Sequence, residues 1–293
     1  MMPKLSILCS AVRTGNAVRK SVFIPEIGDC EWYNLAASCF RKGEPMSSAA
    51  TAPPLEQPPL SEVERVVDTF VAPRKTFTDI RRSASWWLPF VLMAISSFAL
   101  VYVVDNKLGM EKVVENQMAL SPKQAAKLDQ LPPDQRAAQM ETIVKFNRMI
   151  SYAYPVLALV IAAIMAAVLL GTFNFGFGAE LKFKQCLAVT LYSWLPGILK
   201  ALIAILAVSI GGAEGFTFQN PVASNPGALV DPNSHFLYAV ATSIDLFTIW
   251  TLVLAGIGYS CLTRVKLGNC MAVVFGWWAV VVLGGAALGA MFA

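Results

Sequence analysis

The sequence predicts an all-α polytopic membrane protein: five transmembrane helices, a short amphipathic helix ahead of them and a helical external loop. Three observations carry this. Hydrophobic residues make up 56% of the 293 and charged residues only 14%, against about 25% charged in a typical soluble domain. The apolar residues gather into runs near the ~20 residues that cross a hydrocarbon layer. The basic residues lie beside those runs and form no single stripe, so the net charge of +4 fits membrane orientation and not nucleic-acid binding. An ordinary soluble enzyme, a disordered chain and a disulfide-stapled secreted domain are excluded.

The first element is an expected absence of structure. Residues 1–45 show neither helical nor strand periodicity, and their one apolar run, Leu5 to Val12, is too short for a signal peptide. Met46 opens Met46-Ser47-Ser48-Ala49-Ala50, followed by a Pro-rich run at Pro53, Pro54, Pro58 and Pro59. Residues 1–45 are therefore expected to be a disordered or untranslated upstream extension. The chain divides into an N-terminal extension and Pro-rich linker at 1–60, a cytoplasmic amphipathic helix with a basic lead-in at 61–85, and a membrane domain at 86–293.

The amphipathic helix follows from Ser61-Glu62-Val63-Glu64, a capping box. Val63, Val66, Val67, Phe70 and Val71 recur at helical spacing, with Glu62, Glu64, Arg65 and Asp68 elsewhere on the wheel, until Pro73 stops the run. Arg74, Lys75, Arg81 and Arg82 come next, just before the first long apolar segment. Two arrangements fit. The helix lies in the cytoplasmic headgroup layer with these four basic residues on anionic lipid headgroups, or it packs on the protein's own cytoplasmic loops.

The spans fall at about 86–104, 151–173, 186–210, 236–261 and 271–292. Trp86, Trp87, Tyr152 and Tyr154 mark interfaces, and Trp277 and Trp278 sit inside the last span. Lys182 and Lys184, and Arg264 and Lys266, occupy two short connections, while the connection at 211–235 has no Lys or Arg. With the basic excess in the cytoplasm, the protein is expected in the cell membrane with a cytoplasmic N-terminus and an external C-terminus. The 105–150 loop is then external. Within it, Ser121-Pro122-Lys123-Gln124 reads as an N-cap, a first-turn proline and a capping-box glutamine. Pro132-Pro133 breaks that helix, and a second begins at Asp134 and leads toward the second span.

These segments, in this order, resemble the Yip domain family. Phe70-Val71-Ala72-Pro73-Arg74-Lys75-Thr76-Phe77 precedes a Trp-Trp span, and a Gly171 to Gly178 turn alternating glycine and aromatic residues follows the second span. Tyr192-Ser193-Trp194-Leu195-Pro196 sits in the third and Asp245-Leu246-Phe247-Thr248-Ile249-Trp250 in the fourth. The resemblance implies a multi-pass helical protein with a cytoplasmic N-terminal region. Eukaryotic members of the family act in vesicle trafficking through prenylated Rab GTPases. An acidic Asp-Leu-Tyr type motif is missing from the N-terminal region, and the Ala-rich, short-tailed character is similar to bacterial members. Both weigh against carrying small-GTPase binding over.

Catalytic, cofactor and metal sites are not expected. The cysteines form two groups, Cys9, Cys30 and Cys39, then Cys186, Cys261 and Cys270, with no Cys-x-x-Cys pair, and His235 is the single histidine. Two ionisable residues do lie inside the spans, Lys200 and Asp245, and intramembrane charges pair or serve a pathway. Counting at 1.5 Å per residue puts both about 14 to 15 Å below the outer surface of the hydrocarbon, so they can meet. Pro155 and Pro196 are expected to kink their helices, the latter close to Lys200. Gly285-Ala286-Ala287-Leu288-Gly289 is a small-residue face expected to pack within the monomer. Two functions fit: a non-enzymatic protein that organises membrane or recruits partners at its cytoplasmic face, or a transporter of lipid or ions using Lys200 and Asp245.

Overall fold

The computed structural model of the chain describes residues 58–211, 215–231 and 234–292. The expectations for residues 1–45, with Cys9, Cys30 and Cys39, lie outside the described residues, as does the beginning of the chain at Met46. Among those described, the structure is all α-helical apart from one 3-10 turn, Pro226–Leu229. It begins with α1, Glu62–Val71. The capping box is made: the Glu64 amide donates to Ser61 Oγ at 3.2 Å and the Ser61 amide donates to Glu64 Oε2 at 2.8 Å. Those bonds hold the Glu64 carboxyl below its ordinary range, so this support is present above the unfolded pKa and fades as pH falls through the folded one.

Pro73 does more than end α1. It occupies the first position of α2, Pro73–Ile80, where a missing N–H costs nothing because that position has no intrahelical acceptor. The sequence expectation of a basic lead-in is thus replaced by a helix, and one that is part of the core. Phe77 and Ile80 are buried in the same cluster as Phe173, Tyr192, Leu195 and Tyr259.

The first span is α3, Trp87–Lys107, and the outer loop adds α4, Met110–Ala119, and α5, Pro122–Asp129. Ser121 makes no side-chain cap at the start of α5. Its amide still belongs to the exit from α4, donating to Met118 at 2.8 Å, and the proline sets the first helical φ without help. The helix expected from Asp134 and the second span are one element, α6, Pro133–Phe177, 45 residues long. It passes through Pro155 without a break in the helix.

At its C-terminal end α6 also overturns the expected Gly171–Gly178 turn. The segment is helical to Phe177, and only Gly178, at φ +65°, leaves the helix through the left-handed conformation. Asn174 fixes the return by donating to the Leu181 carbonyl and accepting from its amide, each at 3.0 Å. The third span is split into α7, Phe183–Ser193, and α8, Pro196–Ser209, with Pro196 opening the second piece. The fourth is split more sharply, into α9, His235–Ser243, and α10, Leu246–Leu262, which meet at 57°. The last is α11, Leu267–Phe292. Four of these segments are long and apolar enough to cross a membrane, and the bent α9–α10 pair makes a fifth.

Two cores hold the bundle. The inner one joins α2, α6, α7 and α10, with the Phe173 and Tyr259 rings stacked at 4.7 Å. The outer one gathers Val101 and Val104 of α3, Val113 and Val114 of α4, Val144 of α6 and Ala204 of α8. Phe216 of the following connection is buried among them, and its carbonyl accepts from Asn116 at 3.0 Å. The 105–150 loop is therefore a cap packed onto the spans. At the small-residue face Ala286 is buried, 4% exposed, whereas a Cβ at Gly285 or Gly289 would meet no atom within 4 Å.

Close approach is decided elsewhere, at Gly258 of α10. A Cβ there would lie 2.6 Å from Val189 Cγ1 and 3.1 Å from the Phe77 ring. Gly258→Ala should destabilise the protein by about 1–3 kcal/mol through overpacking. Thermal unfolding in detergent should show a lower midpoint for Gly258→Ala and none for Gly284→Ala, where the added methyl meets open space.

Candidate functional site

Lys200 and Asp245 meet. Lys200 Nζ lies 3.2 Å from Asp245 Oδ2, with the lysine side chain 19% exposed and the aspartate 2%. Asp245 is not within a straight span, as the depth count assumed. It sits at the break between α9 and α10 and is the N-cap of α10. Oδ1 accepts from the amides of Phe247 at 2.9 Å and Thr248 at 3.2 Å. Oδ2 accepts from Lys200 and from the Ser224 hydroxyl.

The carboxylate is therefore satisfied on both oxygens by a lysine, a hydroxyl and two helix-terminal amides. The positive end of α10 adds to its stabilisation. Such saturation is what a buried ion pair needs, because Coulomb attraction alone rarely offsets desolvation. Pro196 contributes by position. It opens α8 after the Trp194–Leu195 break, four residues before Lys200.

Ser224 is a member of this site that the sequence did not reveal. It comes from the outer connection, and its carbonyl also accepts from the Leu246 amide at 3.2 Å. Nearby, Gly227 lies so close to α9 that a Cβ would be 2.4 Å from Thr242 Cγ2. A serine in a polar loop gives no local signal of reaching an intramembrane carboxylate. Asp245 gave one: an Asp directly ahead of an apolar run is an N-cap pattern.

The basic residues before the first span divide. Lys75 Nζ is 2.8 Å from Asp68 Oδ2, and that hydrogen bond raises the ammonium above its ordinary range. Arg74, Arg81 and Arg82 are exposed.

A second buried cluster lies beneath them, absent from the sequence expectation. Arg65, only 3% exposed, directs its Nε and Nη2 to Asp79 Oδ2, each at 2.7 Å. Its Nη1 lies 3.3 Å from Glu62 Oε1, and Glu62 Oε2 accepts from the Tyr192 hydroxyl of α7 at 3.1 Å. Thr69 and Thr76 both donate to the Arg65 carbonyl.

This network turns part of α1 inside out. Arg65 and Thr69 face the bundle, while Val63, Val67 and Val71 are 67%, 54% and 79% exposed. Only Val66 and Phe70 pack on the core as the wheel predicts. The periodicity was that of an amphipathic helix in either case. Which face was inward depended on partners fourteen and more residues away.

Among the described residues, no group of three or more His, Cys, Asp or Glu side chains is arranged to hold a metal ion. Comparison with known proteins gives a match to the family model described as Yip1 domain, over residues 67–288. No curated protein and no solved structure matches.

Removing one partner of the buried Lys200–Asp245 pair leaves the other charge uncompensated. Asp245→Asn or Lys200→Met alone should each destabilise by about 3–5 kcal/mol, and the double variant should recover part of that loss. Thermal unfolding of all three in one detergent measures the coupling, and single losses that simply add would refute it.

Proposed function

The chain belongs to the Yip1 domain family, and from that premise we propose that it is a non-enzymatic membrane protein of the Yip type that organises membrane and recruits partners at its cytoplasmic face. The observation that carries this is the orientation of α1. The helix is locked to the bundle through the buried Arg65–Asp79 pair, yet it turns Val63, Val67 and Val71 outward. An apolar stripe held rigidly outward beside exposed Arg74, Arg81 and Arg82 is suited to the headgroup layer, where valines enter the acyl boundary and guanidiniums meet anionic lipid. Partners would meet the protein on this same surface.

The orientation we propose is a cytoplasmic N-terminus and an external C-terminus in the cell membrane, based on the positions of basic residues in the short connections. The transporter reading would require the Lys200–Asp245 pair to exchange its partners for cargo. The saturation of Asp245 by donors of the protein itself supports a role in fixing helix register instead.

Two experiments test the proposal. In a background without native cysteines, accessible labelling should be external at sites after Leu120 and Gly227 and cytoplasmic within 174–185 and 262–270. Internal labelling after Leu120 would reverse the orientation. An environment-sensitive fluorophore at Val67→Cys, in vesicles containing anionic lipid, should emit at blue-shifted wavelength and be quenched by spin-labelled lipid. Emission characteristic of water would overturn the surface assignment of α1.

A further inference from the structure

Four separate parts of the chain converge on a polar cavity of about 670 Å³ at the inner end of the bundle. Arg81 enters from the turn after α2, Phe177 and Glu180 from the end of α6 and the segment after it, Gln185 from the first turn of α7, and Arg264 from the segment after α10. That volume is within the range of sites for small organic groups, about 300–1,000 Å³.

Its charge is unbalanced. Arg81 and Arg264 both line it and no acidic side chain in the described structure pairs with either, whereas Glu180 is the one acid in the lining. Two guanidiniums from different elements, converging on one space, form the geometry that phosphate oxygens take up best, through charge-assisted and often paired N–H···O bonds. Helix-dipole complementarity explains Arg81 and Arg264 near the ends of α2 and α10, but it does not call for a cavity between them.

The surroundings indicate where the phosphate comes from. Phe177 in the wall is 42% exposed, and Phe183 and Phe175 beside it are 43% and 94% exposed. A phosphate entering here would carry its apolar portion toward the exposed Phe177 ring in the wall. We propose that this cavity seats the phosphate-bearing headgroup of an anionic glycerophospholipid. The phosphate lies between Arg81 and Arg264, and headgroup hydroxyls donate to Glu180. This is a saturable site, beyond the diffuse attraction assigned to the exposed surface arginines, and it does not depend on which side of the membrane this end faces.

The test is a titration of the full chain, purified in dodecylmaltoside, with dioctanoyl phosphatidylglycerol, read by thermal unfolding and by bound lipid in native mass spectrometry. Phosphatidylglycerol should raise the midpoint saturably. Dioctanoyl phosphatidylcholine should act at least about tenfold more weakly, and inorganic phosphate should not reproduce the effect. Arg81→Gln and Arg264→Gln should each weaken the response about tenfold, as expected for loss of one charged hydrogen-bonding group. Arg264→Lys should fall between, and Lys123→Gln in the outer loop should match the parent. Both arginines are exposed, so the lipid-free midpoint of each variant should stay with the parent; if a glutamine variant fails to fold, the lysine variant carries the test. An equal response to inorganic phosphate would overturn the lipid assignment. No saturable response, or one unaffected by either arginine, would overturn the site. If Arg74→Gln weakened binding as much, the attraction would be diffuse, and the seated site would fall while the surface role of the basic residues stood.

Discussion

Hydrocarbon offers no hydrogen-bond partner, so every charge drawn into the bundle must be answered by the chain itself. Asp245 shows how far this constraint reaches. Its carboxylate takes a lysine from α8, a hydroxyl from the outer connection and two amides from the helix it caps. To supply those donors the fourth span has to break, because only a helix terminus has free amides to give. The 57° bend between α9 and α10 and the inward reach of Ser224 are therefore parts of one solution. What would be a defect in a straight helix is here the means of keeping a buried charge satisfied.

The same logic operates at the other end, in a wetter setting. Arg65 is buried and answered by Asp79 and Glu62, and Glu62 in turn accepts from Tyr192 of the third span. α1 and α2 are consequently not a tether ahead of the membrane domain. They are fastened to it by side chains whose partners would be left exposed to an apolar surround if the helices lifted away. That fastening decides which face of α1 remains exposed.

Much of this was legible in the sequence, and the exceptions share a cause. Length and apolarity of the runs identified the spans, because crossing a bilayer imposes a composition that local inspection detects. The capping box at Ser61 was equally local. Lys200 and Asp245 stood out because charge is rare within such apolar runs. What stayed hidden depended on residues distant in the chain: Ser224 reaching Asp245, Asp79 drawing Arg65 inward, and Arg81 meeting Arg264 around one cavity. Pro73 follows the end of α1, as the pattern indicates, and also opens α2, and Pro155 lies within a helix that continues past it. The glycine-aromatic stretch from Gly171 was misleading. Glycine permits a turn without requiring one, and the segment stays helical until Gly178.

The length of α6 has a mechanical consequence. Forty-five residues span about 68 Å, and the hydrocarbon layer accounts for about 30 Å of that. Several turns therefore stand outside the bilayer, held to α3 by the Arg148–Asp105 bridge at 3.0 Å and to α5 by Arg136–Asp129 at 2.9 Å. A helix anchored this way behaves as a lever with its fulcrum in the membrane. Tilting the span by about 10° would sweep the arm of residues 133–150, about 27 Å long, through about 5 Å at its tip, carrying the cap with it. Bilayer thickness, which sets that tilt, would thus be converted into a displacement of the opposite surface of the protein, amplified by leverage alone.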